Sequence, residues 1–215
     1  DELTGIGIDM GDQAHVAIVA PNGQEGIRPL AFYQIDVEDL VALTQALETK
    51  YNAGALVIDA MPYKTESKKV VRGLKKAKGF IQYFKGDDLK EGVEGEDDRA
   101  VNKVSVDRDG SLDDTTDLFA TQPPLALLPK PRTTEEEQIL KTVKTHLLKL
   151  VKEKIGGEDG DPVIRYKKNV PNHFGMALNS ARIALRLAIG HSVQTGPTEY
   201  TTVESRRMSN VKGAY

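Results

Sequence analysis

The chain has 215 residues, a formal net charge of −3, 39% hydrophobic residues and 28% charged residues, which is ordinary for one globular domain. It has no cysteine, which excludes disulfides and thiolate metal sites and fits a cytosolic setting. No apolar run approaches the roughly 18 residues of a membrane span, and no signal-peptide pattern opens the sequence. Because residue 1 is Asp rather than Met, we expect an excised domain or processed fragment.

The N-terminal part of the sequence predicts a three-stranded meander, then a helix and a buried strand. Short apolar runs separated by turn signals such as Pro21-Asn22-Gly23 are typical of antiparallel strands. Apolar residues at helical spacing follow, and then a short, wholly apolar run. The predicted elements are strands over 3–9, 15–20 and 27–35, a helix over 37–51 and a strand over 56–59.

The remainder of the chain predicts alternating helices and strands. Thr133 opens a TTEEE segment with capping-box spacing, which predicts a long amphipathic helix running through Ile155. The end of the sequence is polar and aperiodic, so we expect one domain over 1–189 and a flexible tail over 190–215. The predicted elements are helices over 65–77, 111–119, 133–155 and 171–189, strands over 80–84, 101–106 and 163–166, and a loop over 156–162.

Two aspartates each follow a strand-like apolar run. Asp9 ends the run in GIGIDMG, and Asp59 ends the run in ALVIDA. A carboxylate at the end of a buried strand is expensive to desolvate unless something pairs with it, and Mg²⁺ prefers carboxylate oxygens shared with substrate phosphates. Each aspartate alone also fits a turn-capping role. Two of them in one domain favour a metal site.

Charge is unevenly distributed along the chain. Residues 64–78 carry seven Lys or Arg and a single Glu, whereas residues 87–98 are mostly acidic. A basic stretch suits phosphate contacts, which supply most sequence-independent affinity for nucleic acids, although a solvated helix face is the simpler interpretation. We expect the acidic run to form an exposed hairpin or loop.

The last predicted helix contributes a histidine near its start. His173 and Met176 are three residues apart, so they are neighbours on a face separate from the apolar stripe of this helix. A histidine at a helix start commonly caps the helix or donates a hydrogen bond. A role as a ligand or catalytic group is the alternative.

The order of the predicted elements resembles the ribonuclease H-like fold. This is an α/β fold with a central mixed sheet, a three-stranded antiparallel meander plus parallel strands, flanked by helices. There the first and fourth strands lie side by side at the sheet centre. Such pairing would bring Asp9 and Asp59 together although they are far apart in sequence.

An ordered set of segments resembles the C-terminal nuclease domain of the large terminase subunit of tailed bacteriophages. The matching stretches are GIDMG with HVAIVAP, ALVIDAMPYKTESKKV, VNKVSVDRDGSLDD, LALLPKPRTTEEEQILKTVKTHLLKL and NHFGMALNSARIAL. The resemblance implies an Mg²⁺- or Mn²⁺-dependent endonuclease that cuts concatemeric viral double-stranded DNA during packaging in the host cytoplasm. It also implies three protein partners: a terminase ATPase domain on a missing N-terminal part, the small terminase subunit and the portal.

The resemblance also implies roles for individual residues. Asp9 and Asp59 match the first two catalytic acids, and His173 matches the histidine of the last motif. The third acid is replaced by Met176, whose uncharged thioether cannot substitute for a carboxylate as an Mg²⁺ ligand. The resemblance implies two ions, held by Asp9, Asp59 and His173; either His173 or Asn172 helps hold the second ion, or that ion is bound weakly. Asp12 is a candidate auxiliary acid, or a plain turn residue.

Basic residues are the candidate contacts to the DNA backbone. Because contacts to phosphates do not distinguish one base from another, we expect cleavage largely without sequence specificity. Arg108, within VDRDG, is equally suited to an ion pair with a neighbour. The full candidate set is Lys68, Lys69, Arg72, Lys75, Lys76 and Arg108.

Three other functions compete with this interpretation. GIDMG also resembles the first phosphate loop of actin-like and sugar-kinase ATPases, but their second glycine-rich phosphate loop is not found in the sequence. A Holliday-junction resolvase would bring a similar carboxylate cluster. A DNA-binding or motor-docking domain with weak or lost nuclease activity is the third alternative, and Met176 is the main argument for it.

Overall fold

The computed structural model describes residues 2–86, 88–96, 99–156, 162–168 and 170–190. The described residues form nine strands and five α-helices. The strands are β1 (Thr4–Asp9), β2 (Gln13–Asn22), β3 (Gly26–Asp36), β4 (Ala53–Asp59), β5 (Lys78–Phe84), β6 (Lys90–Glu94), β7 (Val101–Val106), β8 (Lys152–Gly156) and β9 (Pro162–Tyr166). The helices are α1 (Leu40–Lys50), α2 (Lys64–Gly73), α3 (Arg108–Ala120), α4 (Thr134–Leu148) and α5 (His173–Ala188), with a 3-10 turn over Val37–Asp39. The five helices and seven of the strands follow the predicted order, whereas the sequence does not predict β6 and β8 as strands.

Seven strands form one mixed sheet in the order β3-β2-β1-β4-β5-β7-β6. Strands β1, β2 and β3 pair antiparallel, as the predicted meander requires. Strands β1, β4, β5 and β7 run parallel, and β6 closes the edge antiparallel to β7. The predicted fold class, and the pairing of the first strand with the fourth, are therefore confirmed.

Helices cover both faces of the sheet. On one face α1 and α2 pack over a cluster that includes Ile6, Ile8 and Ile58. On the other face α5 crosses β1, β2 and β4, and α4 packs against α5. Among the described residues no helix is long and apolar enough to cross a membrane.

Contact between α5 and β1 is unusually close. A Cβ atom added at Gly7 would overlap the backbone of Ala177 and Ala181, and one added at Gly5 would meet the backbone of Leu185. Because only glycine permits this approach, the helix lies directly on the strand. The start of α5 is thereby fixed beside the carboxyl end of β1.

The prediction of a single long helix over 133–155 is wrong for the last turns of that range. Helix α4 ends at Leu148, and Lys152–Gly156 forms β8, which pairs antiparallel with β9. No Gly or Pro marks the end of the helix, so the sequence pattern continues through it. Backbone pairing with β9, which begins ten residues after β8 begins, overrides that local pattern. The first and last residues of the predicted loop over 156–162 therefore belong to strands.

Two other helices are shorter in the structure than the sequence predicts. The acidic run forms the predicted hairpin over its described residues. The helix predicted over 37–51 opens with the 3-10 turn, and the one predicted over 65–77 ends at Gly73. Strand β6 lies inside the acidic run and pairs with β7. The tail over 191–215 lies outside the described residues, so the domain and tail boundaries stay predictions.

We expect Gly7→Ala to lower the free energy of unfolding by about 3 kcal/mol, because the added methyl group meets backbone rather than a flexible side chain. Urea denaturation followed by circular dichroism measures this. Gly92→Ala is the control, since the nearest atom there belongs to the flexible end of Lys103 at 3.2 Å. Equal stabilities for the two variants would contradict the close α5–β1 packing.

Candidate active site

Asp9 and Asp59 lie next to each other at the carboxyl edge of the sheet. Ile8 pairs with Ile58 in the parallel β1–β4 ladder, so the two aspartates are the next residues on neighbouring strands. Side chains alternate between faces along a strand. Asp9 faces α5, where it bonds to His173, and Asp59 shares the face of Val57, which packs in the cluster containing Ile183 of α5. The predicted convergence of the two carboxylates is thus present.

The environment of this pair disfavours two bare negative charges. Burial raises the pKa of Asp9, and the bond from His173 opposes that rise. Burial also raises the pKa of Asp59, to about 6, although the backbone N–H of Met61 donates to its carboxylate. The negative charge of Asp9 adds to this rise. Adjacent buried carboxylates of this kind are stabilised by a cation.

His173 contacts Asp9 directly. Its Nδ1 lies 2.7 Å from Oδ2 of Asp9, across 164 residues of sequence. The hydrogen bond to Asp9 raises the pKa of His173. The start of α5 therefore delivers a positively charged or proton-sharing group to the first carboxylate.

Two further histidines surround His173, and no sequence pattern singled them out. The ring of His15 stacks on that of His173 at 4.8 Å, and His146 of α4 lies 5.8 Å from the same ring. Nδ1 of His146 accepts the backbone N–H of Phe174 at 3.2 Å, so α4 caps the first turn of α5. His15 pairs with Asp9 in the β1–β2 register. The short turn between these strands is the signal from which this pairing could have been predicted. No pattern in the sequence around His146 indicates its contact with the start of α5.

Burial lowers the pKa of both additional histidines. The pKa of His15 falls to about 4, first through burial and then through the charge of His173. Burial and the same charge lower the pKa of His146. These two rings are therefore neutral near pH 7, whereas the hydrogen bond to Asp9 favours the protonated form of His173.

Met176 is buried in an apolar cluster with Leu112, Leu150 and Tyr166, so it contributes no ligand. Within the ranges described, no group of three or more His, Asp or Glu side chains is arranged to hold a metal ion. The structure thus does not gather Asp9, Asp59 and His173 into a three-ligand cluster. Two neighbouring carboxylates still suit a divalent cation that keeps water and substrate oxygens in its other positions.

Asp12 and Arg108 lie at the periphery of the pair. Asp12 is in the β1–β2 turn, where Tyr63 Oη donates to it over a long 3.4 Å. Arg108 begins α3 and donates to the carbonyl oxygens of Tyr166 and Lys167 at 3.2 and 3.5 Å. Its charge lowers the pKa of both Asp9 and Asp59. Arg108 is therefore near the carboxylates, although its guanidinium is partly engaged by backbone.

Several of the basic residues proposed to contact DNA have acidic or backbone partners. Nζ of Lys68 lies 2.7 Å from Glu94, and Arg72 donates to the carbonyl oxygen of Arg99. Lys69 makes a loose 3.9 Å ion pair within α2. The basic stretch is therefore less available than its sequence suggests.

Lys75 and Lys76 have exposed side chains in the α2–β5 connection. The buried carboxylate of Glu48 accepts their backbone N–H groups at 2.8 and 3.0 Å, and that of Ala77 at 2.9 Å. Glu48 thereby fixes the loop that presents these two cations to solvent.

Comparison with known proteins gives a structural likeness only. No family model and no curated protein matches the sequence. The large terminase nuclease domain of Thermus phage P74-26 is 15% identical, with a TM-score of 0.51 over 86% of this chain and 81% of that chain. The large terminase nuclease of thermophilic phage G20c is 14% identical, with a TM-score of 0.46 over 85% and 82%. Thermus thermophilus RuvC is 12% identical, with a TM-score of 0.41 over 88% and 98%.

The order of the sheet and the likeness to the P74-26 nuclease domain show that the chain has the RNase H-like fold.

Replacing His146 should loosen the first turn of α5. His146→Leu removes the acceptor of the Phe174 N–H, and leaving that buried donor unpaired costs about 1–3 kcal/mol. His146→Asn keeps an acceptor near the Nδ1 position and serves as the matched control. Hydrogen exchange of the Phe174 amide, followed by NMR, should accelerate strongly in the Leu variant and much less in the Asn variant. Equal exchange in both variants would contradict the capping role.

Proposed function

We propose that this chain is the nuclease domain of a phage terminase large subunit, a divalent-metal-dependent endonuclease that cuts concatemeric viral double-stranded DNA during genome packaging. Three observations support the proposal: the ordered terminase-like segments, the likeness of the fold to the P74-26 nuclease domain, and the carboxylate pair. The carboxylate pair carries the argument, because it alone bears on chemistry.

Asp9 and Asp59 would hold the metal ions, either Mg²⁺ or Mn²⁺. When bound, such ions supply activation of the attacking water and stabilisation of the leaving oxygen in phosphodiester hydrolysis. Asp9 is the more buried of the two and is oriented by His173, so it would be the more rigidly held of the two metal ligands.

We propose that the second ion binds weakly. Met176 supplies no oxygen, and Nδ1 of His173 is already engaged by Asp9. Only the other ring nitrogen of His173 remains for coordination, and Mn²⁺ accepts imidazole more readily than Mg²⁺ does. Asp12 is the proposed auxiliary acid, and its charge acts on His173.

DNA would be held through its phosphates, so cleavage is proposed to lack sequence specificity. Arg108 is the best placed of the candidate cations, because its charge acts on both aspartates. Lys75 and Lys76 are exposed but precede β5, at the amino end of the parallel strands and away from the carboxylates. Lys68, Lys69 and Arg72 complete the proposed set. The terminase ATPase domain, the small subunit and the portal are the proposed partners, and the host cytoplasm is the proposed location.

A DNA-binding or motor-docking domain without strong nuclease activity is the second candidate. The burial of Met176 among apolar side chains favours it, as does the missing three-ligand cluster in the described part of the chain. Both functions require DNA binding, so only a cleavage assay separates them.

Asp9→Asn and Asp59→Asn should each slow Mn²⁺-dependent plasmid nicking by about 100-fold or more, since several kcal/mol of transition-state stabilisation disappear. Agarose gels of nicked and supercoiled plasmid measure the rate. Asp39→Asn is the control, because Asp39 is exposed at the start of α1 and its side chain makes no capping bond. Wild-type nicking by either active-site variant would refute the nuclease proposal.

Metal titration by calorimetry tests the ligand set independently of activity. Without DNA, we expect weak Mn²⁺ binding, weaker Mg²⁺ binding, and loss of the heat signal in Asp59→Asn but not in Asp39→Asn. The reason is that two carboxylates leave most of the coordination shell to water. Two tight Mg²⁺ sites in the free protein would be incompatible with the role assigned to Met176.

A further inference from the structure

Glu94, the last residue of β6, is held by three side chains from two other elements. Nζ of Lys64 and Nζ of Lys68 lie 2.8 and 2.7 Å from its Oε1. Oη of Tyr83 donates to its Oε2 at 2.7 Å. Lys64 and Lys68 are one helical turn apart on α2, and Tyr83 comes from β5. The three donors thus converge on one carboxylate, and we call them the Lys64–Lys68–Tyr83 cluster.

The carboxylate within this cluster is a fixed anion. Burial alone would raise the pKa of Glu94, but the bonds from Lys64, Lys68 and Tyr83 hold that pKa at about 2. The side chains of Glu94 and Lys68 are only 22% and 23% exposed, so their attraction is screened less than that of an open surface pair. Glu94 therefore neutralises much of the positive charge at the start of α2.

The cluster begins near the candidate active site but lies on the other face of the sheet. Lys64 begins α2 shortly after Asp59, and Ser67 Oγ of α2 donates to the backbone oxygen of Asp59 at 2.6 Å. Tyr83 points to the α2 face, whereas Asp9 and Asp59 face α5. Glu94 pairs with Val101 at the start of β7, toward the amino end of the parallel strands. A DNA duplex that reaches both sites would therefore contact both faces of the sheet.

Two ammonium groups and a phenol hydroxyl form a donor set that a phosphate group satisfies as well as a carboxylate does. We propose that the Lys64–Lys68–Tyr83 cluster is a binding site for a backbone phosphate of DNA, and that Glu94 occupies this site when DNA is absent. The proposal deepens the proposed nuclease function and takes its ligand from it. Glu94 is then an internal competitor of the DNA backbone.

Exchange of Glu94 for a phosphate is physically reasonable. Strand β6 is the last strand of the sheet and pairs only with β7, so a shift of its end breaks few backbone bonds. Since one anion replaces another, neither lysine is left without a partner. A purely structural ion pair that ties β6 to α2 is the competing explanation, and it predicts no gain in DNA affinity when Glu94 is changed.

Four variants of the full chain test the proposal, with a fluorescein-labelled DNA duplex of random sequence in EDTA and fluorescence anisotropy as the readout. Glu94→Gln should bind about tenfold more tightly than wild type, and the slope of log K against log salt should steepen by about 1, as expected for contact with one phosphate. Glu91→Gln removes the same charge from the same strand, where it pairs with Lys78 at 3.3 Å, and should change affinity by less than about twofold.

Glu94→Asp separates local competition from net charge. Its shorter side chain keeps the charge but cannot reach all three donors, so affinity should still rise, by about threefold, with a smaller change of slope than in Glu94→Gln. Adding Lys64→Gln and Lys68→Gln to Glu94→Gln should abolish the gain. Circular dichroism establishes that each variant is folded, and Glu94→Asp remains informative if Glu94→Gln is unstable.

Equal affinities for Glu94→Gln and Glu91→Gln would overturn the proposal, as would a gain that persists without the two lysines. No DNA binding by any variant would overturn both this proposal and the proposed function. If instead the binding results are as expected while Asp9→Asn and Asp59→Asn still nick DNA normally, the nuclease proposal fails and the phosphate site stands.

Discussion

The parallel pairing of β1 with β4 is the constraint on which the candidate site depends. It places Asp9 and Asp59 side by side at the end of a buried sheet, where two negative charges are unfavourable without compensation. The glycines of β1 let α5 lie directly on the strand, which brings His173 to the first carboxylate. Arg108 supplies a second positive charge nearby. These contacts offset part of the repulsion, and the remainder makes the pair a site that favours a cation.

The sequence predicts the carboxylate pair well because the order of elements, rather than any single motif, determines which strands are neighbours. Asp9 and Asp59 each end an apolar run, and a meander followed by a helix leaves β4 beside β1. The β8–β9 hairpin could not be predicted in the same way. Lys152–Gly156 continues a helical pattern, and only pairing with β9 makes it a strand. Tertiary pairing overrides local propensity there.

Contacts between side chains distant in sequence were the other feature that local patterns could not supply. The basic stretch suggested an open phosphate-binding face, yet Lys64 and Lys68 are satisfied by Glu94 from the acidic run. His146 likewise reaches the start of α5 from α4, and nothing in its own segment indicates that contact. Charge in a sequence segment is therefore not charge on the surface, since the fold decides which charges cancel.

Metal and DNA binding are expected to support each other at this sheet edge. A DNA strand that approaches Asp9 and Asp59 would meet two carboxylates, and one that approaches the start of α2 would meet Glu94. Cations bound by the aspartates would remove the first repulsion, and displacement of Glu94 by a phosphate would remove the second while exposing two lysines to DNA. Met176 is apolar and buried, so it adds no negative charge that must be compensated when no ion is bound. With two carboxylates as ligands, the proposed site would fill best when DNA phosphates complete the coordination shell. Reactivity would then require both the substrate and the ions at once, which suits a nuclease that must stay inactive until DNA is properly engaged.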